Sequence, residues 1–207
     1  MKYQKSILKI TFVCFTSLLL YTCGNNDRSE ASSKTNSVVN KIKTGNNLVK
    51  GARDLAAESE VLKKLTPISV ETLKAFFPET IYGMPKTNSN ALDMAGASTA
   101  FATYGQNTSK QIKLRILDGA GEKGSAATTV YRAIKYDKTN KEAYGDYIKI
   151  KEYDNTIVKQ HFDKNQNRYT LEFFYNDRFA INLQVTGFQQ KDVWAIFKEF
   201  QLHNLIN

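Results

Sequence analysis

The chain predicts an α+β fold: an antiparallel sheet of about six strands, an N-terminal helix, a middle helix and a C-terminal packing helix. Three observations predict it. Apolar residues recur with period two through much of residues 88–185. Asn and Asp pairs at Asp154-Asn155 and Asn176-Asp177 separate those runs. Helical spacing returns at both ends, over 46–65 and 189–200.

The elements follow in order. Leu48, Ala52, Leu55, Ser59 and Leu62 recur at steps of four and three, so 46–65 reads as a helix with a thin stripe, stopped by Pro67. Ser69 starts a short turn over 70–77 that Pro78 ends. Residues 100–104 and 111–117 alternate as half-buried strands, joined through the turn-rich Gly105 to Ser109. Ser125 to Tyr136 reads as the middle helix, with Val130, Ile134 and Ala127 on its inner face. Residues 147–151 and 156–162 flank Asp154-Asn155, and 169–173 and 179–185 flank Asn176-Asp177. Asn and Asp tolerate the positive φ of tight turns, so both sites read as hairpins. Phe179, Ile181, Leu183 and Val185 share one face of the last strand, with Ala180, Asn182 and Gln184 opposite. That pattern predicts a sheet with one buried and one wetter face. Gly187 ends the strand, and the helix over 189–200 closes the core with Val193, Trp194, Ile196, Phe197 and Phe200.

The start of the chain has a different logic. Lys2, Lys5 and Lys9 precede a mostly apolar stretch from Ile10 to Leu20. It is too short to cross a hydrocarbon core, which needs about 20 helical residues, and it has the form of an export signal. The sequence Leu20-Tyr21-Thr22-Cys23 then resembles the lipobox of bacterial lipoproteins. That resemblance implies cleavage after residue 22, acylation of Cys23 (palmitate among its chains) and attachment to a membrane. A bulky Tyr21 departs from the usual pattern. An ordinary cleaved signal or an uncleaved anchor is the alternative. Cys14 would leave with the signal, so a mature chain would keep no thiol besides the acylated one. Residues 23–45 hold no aromatic and are rich in Asn, Ser, Lys and Thr, which predicts a flexible tether; 46–207 then form a single domain.

Removing Lys2, Lys5 and Lys9 from a formal charge of +9 leaves +6. The balance favours acidic partners such as headgroups or lipopolysaccharide phosphates, or else marks a solvated basic surface. No basic run interleaves with aromatics as strand-binding surfaces require, and no nucleic-acid partner is expected.

Several short motifs resemble a family of uncharacterised bacterial envelope proteins, many of them lipoproteins. They are Leu73 to Glu79, Gly83 to Thr87, Thr99 to Tyr104, Asp118-Gly119, Asp177-Arg178-Phe179 and Val185 to Gly187, followed by a closing helix. The resemblance implies an envelope setting and a PsbP/Mog1-like α+β layout, and it adds no catalytic residues. In a two-membraned bacterium, Gly24 after the cysteine is compatible with the outer membrane.

Chemical motifs are sparse. Gly119-Ala120-Gly121-Glu122-Lys123-Gly124 matches Gly-x-Gly-x-x-Gly, yet the surrounding hairpins oppose a dinucleotide fold, and the segment reads as a connecting loop. His161 and His203 stand far apart and match no metal-ligand spacing. No Gly-x-Ser-x-Gly elbow is present. No catalytic, cofactor-binding or metal residue is assigned; Cys23 is the one site residue, for lipidation. Because Phe173 and Phe174 are adjacent in a strand, one must face away from the core, under the N-terminal helix or at a binding surface. The expectation is a monomeric, lipid-anchored binding module for an envelope protein or an amphiphilic or anionic ligand. The alternatives are a small envelope hydrolase using carboxylates in a cleft near Asp118 to Lys123, and an immunity or inhibitor lipoprotein acting through its basic surface.

Overall fold

Among the described residues, nine antiparallel strands form one sheet in the order β1-β2-β3-β4-β9-β8-β7-β6-β5. The computed structural model describes residues 49–205. The expected export signal, Cys23, the expected tether and residues 46–48 lie outside the described residues. Strands are β1 (Thr80–Ile81), β2 (Met84–Met94), β3 (Ala97–Asn107), β4 (Lys110–Asp118), β5 (Lys141–Ala143), β6 (Asp146–Tyr153), β7 (Thr156–Asp163), β8 (Arg168–Tyr175) and β9 (Phe179–Thr186). Helices are α1 (49–63), then α2 (Val70–Ala75), α3 (Gly121–Ala127), α4 (Thr129–Arg132) and α5 (Gln190–Glu199). Short 3₁₀ turns cover Ala133–Tyr136 and Leu202–Leu205.

The topology is two meanders, β1–β4 and β5–β9, that meet where β4 pairs with β9. Every other connection is a hairpin. The exception is the segment from α3 to Tyr136, which carries the chain from the middle of the sheet to its far edge. Both hairpins read from Asn and Asp pairs are present. Asp154 and Asn155 have φ of 46° and 64°, and Asn176 and Asp177 have 48° and 50°. Those are values that short polar side chains tolerate.

The sheet has nine strands rather than about six. The three extra ones, β1, β2 and β5, sit at its edges. β2 buries only Ala91, and β5 buries nothing. Strands that bury so little need no alternation of apolar residues, and the pattern that reveals a half-buried strand is missing.

One face of the sheet carries the core. Tyr104 of β3, Ile112, Leu114 and Ile116 of β4, and Phe179, Ile181, Leu183 and Val185 of β9 are fully buried there. α2 and α5 close it from above. Ser69 caps α2, its Oγ accepting from Thr72 N at 3.1 Å. α5 contributes the expected stripe: Val193, Ile196, Phe197 and Phe200 are buried, and Phe197 meets Phe173 edge-on at 4.8 Å between ring centres.

The middle helix differs from the expectation over 125–136. It starts at Gly121 and breaks at Thr128 into α3, α4 and a 3₁₀ turn. Thr128 Oγ1 donates back to Gly124 O at 3.0 Å, a competing bond that bends helices. Val130 and Ala127, expected on the inner face, are exposed, while Ser125, Thr128, Arg132 and Ile134 are buried. The inner face is polar because it meets α1, which docks there through polar bonds in addition to the buried Leu62. Arg132 is 1% exposed and donates to Leu55 O (2.7 Å), Ser59 Oγ (2.8 Å), Ser125 O (2.9 Å) and Thr129 Oγ1 (3.1 Å). Its Nη1 lies 3.8 Å from Glu58, which also pairs with Lys135. Burial pulls the Arg132 guanidinium below its ordinary value, and Glu58 opposes that shift. Of the stripe expected in α1, Leu62 is buried, Leu55 and Ser59 are half-buried and Ala52 is exposed. Among the described residues, no helix is long and apolar enough to cross a membrane.

Candidate functional site: an acid-free basic furrow on the open sheet face

Period two puts the residues between the core positions onto the sheet's second face. Their pairing lays out rows that run across the strands. Leu92, Thr99, Leu117, Ala180 and Phe174 make a row that is apolar except at Thr99. The crossover helices cover its middle: Phe174, Ile157, Tyr131, Arg132 and Lys135 line one depression there. Of the adjacent pair in β8, Phe173 is therefore the core residue. Phe174 faces the other way and packs under the crossover rather than under α1.

The next rows are polar and open. Phe101, Arg115, Asn182 and Glu172 lie side by side on β3, β4, β9 and β8. Thr103, Lys113, Gln184 and Thr170 form the row beyond, then Gln111, Thr186 and Arg168. Two adjoining depressions follow these rows. The first, of about 220 Å³, is lined by Phe101, Thr103, Lys113, Arg115, Asn182 and Gln184, among others. The second, of about 330 Å³, shares Lys113 and Gln184 and extends past Gln111 and Thr186 to Arg168 and Gln166. Together they make one furrow holding three cations, Lys113, Arg115 and Arg168, and among the described residues no aspartate or glutamate lines it.

Two of the three charges are unpaired among the described residues, and the third is paired at one nitrogen. Lys113 and Arg115 are exposed and make no salt bridge among the described residues. Arg168 contacts Asp163 at 3.4 Å through Nη2, while its Nε has no acceptor among the described residues. Asn182 is held by Glu172 at 3.2 Å just outside the first depression. Tyr131 of the crossover closes that end. Burial lifts its hydroxyl above the ordinary value, Glu172 adds to the lift, and Arg115 and Asn182 oppose it. Central strands have their backbone groups engaged on both sides, so the furrow offers side chains alone: amides, hydroxyls, cations and the Phe101 ring.

The cleft expected near Asp118 is filled. Asp118 is 0% exposed. Oδ1 accepts from Ala120 N (3.0 Å) and Arg178 Nε (2.8 Å), and Oδ2 from Ile68 N (2.8 Å) and Arg178 Nη2 (2.9 Å). A carboxylate with its lone pairs so engaged has none left for a substrate or a water. The glycine motif has a packing cause. A Cβ on Gly119 would stand 2.5 Å from Arg178 O, and one on Gly124 2.4 Å from Asp118 O. The short separation of backbones, not a phosphate, requires those glycines.

The histidines stay apart. His161 is half-buried on β7 beside Thr170, in the row of Lys113, and His203 is exposed in the last 3₁₀ turn. Among the described residues, no three His, Cys, Asp or Glu side chains gather in a way that holds a metal. Lys113, Arg115 and Arg168 escaped the sequence reading, although a signal existed. Gln111, Lys113 and Arg115 share one face of β4 by period two, and Asn182 and Gln184 share the matching face of β9.

Comparison with models of protein families, with curated proteins and with solved structures finds no match for this chain.

Proposed function

We propose that the protein is a lipid-anchored binding module of the bacterial cell envelope that holds an anionic ligand in the furrow of its open sheet face. One observation carries the binding role: among the described residues, three cations line the furrow and no acid does. Such a surface concentrates negative ligands and steers their approach. The anchoring role rests on the amino-acid pattern of 1–23. Cys23, acylated after loss of residues 1–22, would attach the protein to a membrane face, the outer membrane in a two-membraned cell. One chain binds a bilayer only marginally, so more than one is expected. Residues 23–45 would let the domain reach ligands around its anchor. The engagement of both Asp118 oxygens favours binding over the hydrolytic alternative at that carboxylate.

Two variants of the full chain test the reading. Cys23→Ser is expected to lose a metabolically incorporated fatty-acid label and to leave the membrane fraction. Lys113→Glu/Arg115→Glu is expected to keep the label and to elute from immobilised heparin, a generic polyanion, at clearly lower salt than the parent. The same charge change at Lys138 and Lys141, which are exposed outside the furrow, should shift elution less. Equal shifts from both pairs would remove the furrow from the proposal, and an unlabelled parent would remove the anchor.

A further inference from the structure

We infer that the furrow takes an acidic polysaccharide, a sugar chain carrying repeated carboxylates, in preference to an acidic peptide or an anionic bilayer surface. This rests on the binding-module reading above and names its ligand class.

The spread of charge points to a polymer. Lys113 and Arg115 are two positions apart on β4, and Arg168 stands two strands away, beyond β9. At about 4.8 Å between strands and 3.4 Å per residue, the line from Arg115 to Arg168 is on the order of 15 Å. One isolated carboxylate or phosphate cannot span that line, whereas a chain with a charge on each repeat meets the cations in turn.

The neutral groups point to sugar. Around the cations lie the amides of Gln111, Asn182 and Gln184 and the hydroxyls of Thr103 and Thr186. Amides and hydroxyls both donate and accept, which is what a ring of sugar hydroxyls requires of its partner. The half-buried Phe101 ring at the Arg115 end supplies an apolar plane for the C–H face of a pyranose.

The alternatives fit less well. An extended acidic peptide gains most of its affinity by adding a strand to a free sheet edge. β4 and β9 are paired on both sides and expose no such edge. A bilayer presents a plane and meets protruding side chains, whereas these cations border a depression.

The experiment uses the full chain in neutral detergent micelles, with Cys23 labelling read on the same sample. Loss of the label with sugar binding intact therefore breaks the anchor alone, and the reverse breaks this inference alone. Polygalacturonate is expected to bind, more weakly as salt rises, and dextran, a neutral chain, is not. Lys113→Ala/Arg115→Ala should weaken polygalacturonate binding at least tenfold. Asn182→Ala/Gln184→Ala should weaken it severalfold and leave binding of polyglutamate unchanged. These side chains are exposed or half-buried on the open face, so thermal unfolding of each variant serves as the folding control. Polyglutamate binding as tightly as polygalacturonate would overturn the inference in favour of a peptide. Displacement of the polysaccharide by phosphatidylglycerol mixed into the micelles would overturn it in favour of headgroups. Polygalacturonate binding unaffected by either furrow variant would overturn it outright.

Discussion

Asp118 and Arg178, 60 residues apart in the chain, form a two-pronged ion pair where the two meanders meet: Nε–Oδ1 is 2.8 Å and Nη2–Oδ2 is 2.9 Å. Arg178 Nη2 also donates to Thr66 O at 2.9 Å, and Ile68 N donates to Asp118, so the pair ties the segment between α1 and α2 to the sheet. Parallel N–H···O bonds between Arg and a carboxylate fix direction as well as strength. Asp118-Gly119 and Asp177-Arg178-Phe179 are two short segments far apart in the chain. They turn out to be the two halves of one contact.

Breaking that pair from one side leaves a charge buried without its partner, which costs about 3–5 kcal/mol. Arg178→Met is therefore expected to lower stability by about that amount in urea unfolding. Asp118→Leu/Arg178→Met, which removes both charges, should cost less than the sum of the single changes. A loss under about 1 kcal/mol for Arg178→Met would place Asp118 among surface-like pairs and reopen it as a reactive carboxylate.

Gly124 supplies a sharper test of the same corner. It lies inside α3, where replacing glycine by alanine normally gains up to about 1 kcal/mol of helix propensity. Here the new Cβ would stand 2.4 Å from Asp118 O and 2.8 Å from Gly119 C. Both are backbone atoms that cannot swing aside, and overpacking costs typically about 1–3 kcal/mol. The steric term wins, so Gly124→Ala should lower the midpoint of thermal unfolding. A raised midpoint would show that α3 is free to move off the sheet.

How much of this was legible depended on what each residue faces. Strands with one side in the core advertise themselves, and Phe179 to Val185 did so through strict alternation. The hairpins at Asp154-Asn155 and Asn176-Asp177 were equally plain, because positive φ selects those residue types. β2 and β5 were hidden, since edge strands need no apolar face. Val130 misled because helical spacing treats every valine as a core residue. In this crossover the inward positions belong to Arg132, Ser125 and Thr128, whose polar bonds replace an apolar stripe. The furrow was half legible. The wet face of β9 was evident, but its meaning needed the neighbour. Only the register of Lys113 against Gln184 and of Arg115 against Asn182 turns scattered polar residues into one surface.

Gln160 is 0% exposed, and its amide lies between two phenols: Tyr153 donates to Oε1 at 2.6 Å, and Nε2 donates to the Tyr147 hydroxyl. Burial pushes the Tyr147 hydroxyl from its ordinary 10.0 up to about 12, with Tyr169 adding to the lift and Gln160 opposing it. The folded state thus disfavours the phenolate. The contribution of this group is fully present below pH 10, where both states keep the proton. It is lost as pH rises from 10 toward 12, where the unfolded chain ionises first. Tyr147→Phe should be the less stable protein at neutral pH, because it leaves the buried Gln160 amide without one acceptor, a loss of about 1–3 kcal/mol. The gap should then narrow across the alkaline window, since phenylalanine has no proton to lose. Burial also lifts Tyr104, but that tyrosine is present in both proteins and its effect cancels in the difference. Urea midpoints of the two proteins, measured at steps of pH, check the expectation. A gap that stays constant through the window would mean that Tyr147 ionises as readily folded as unfolded.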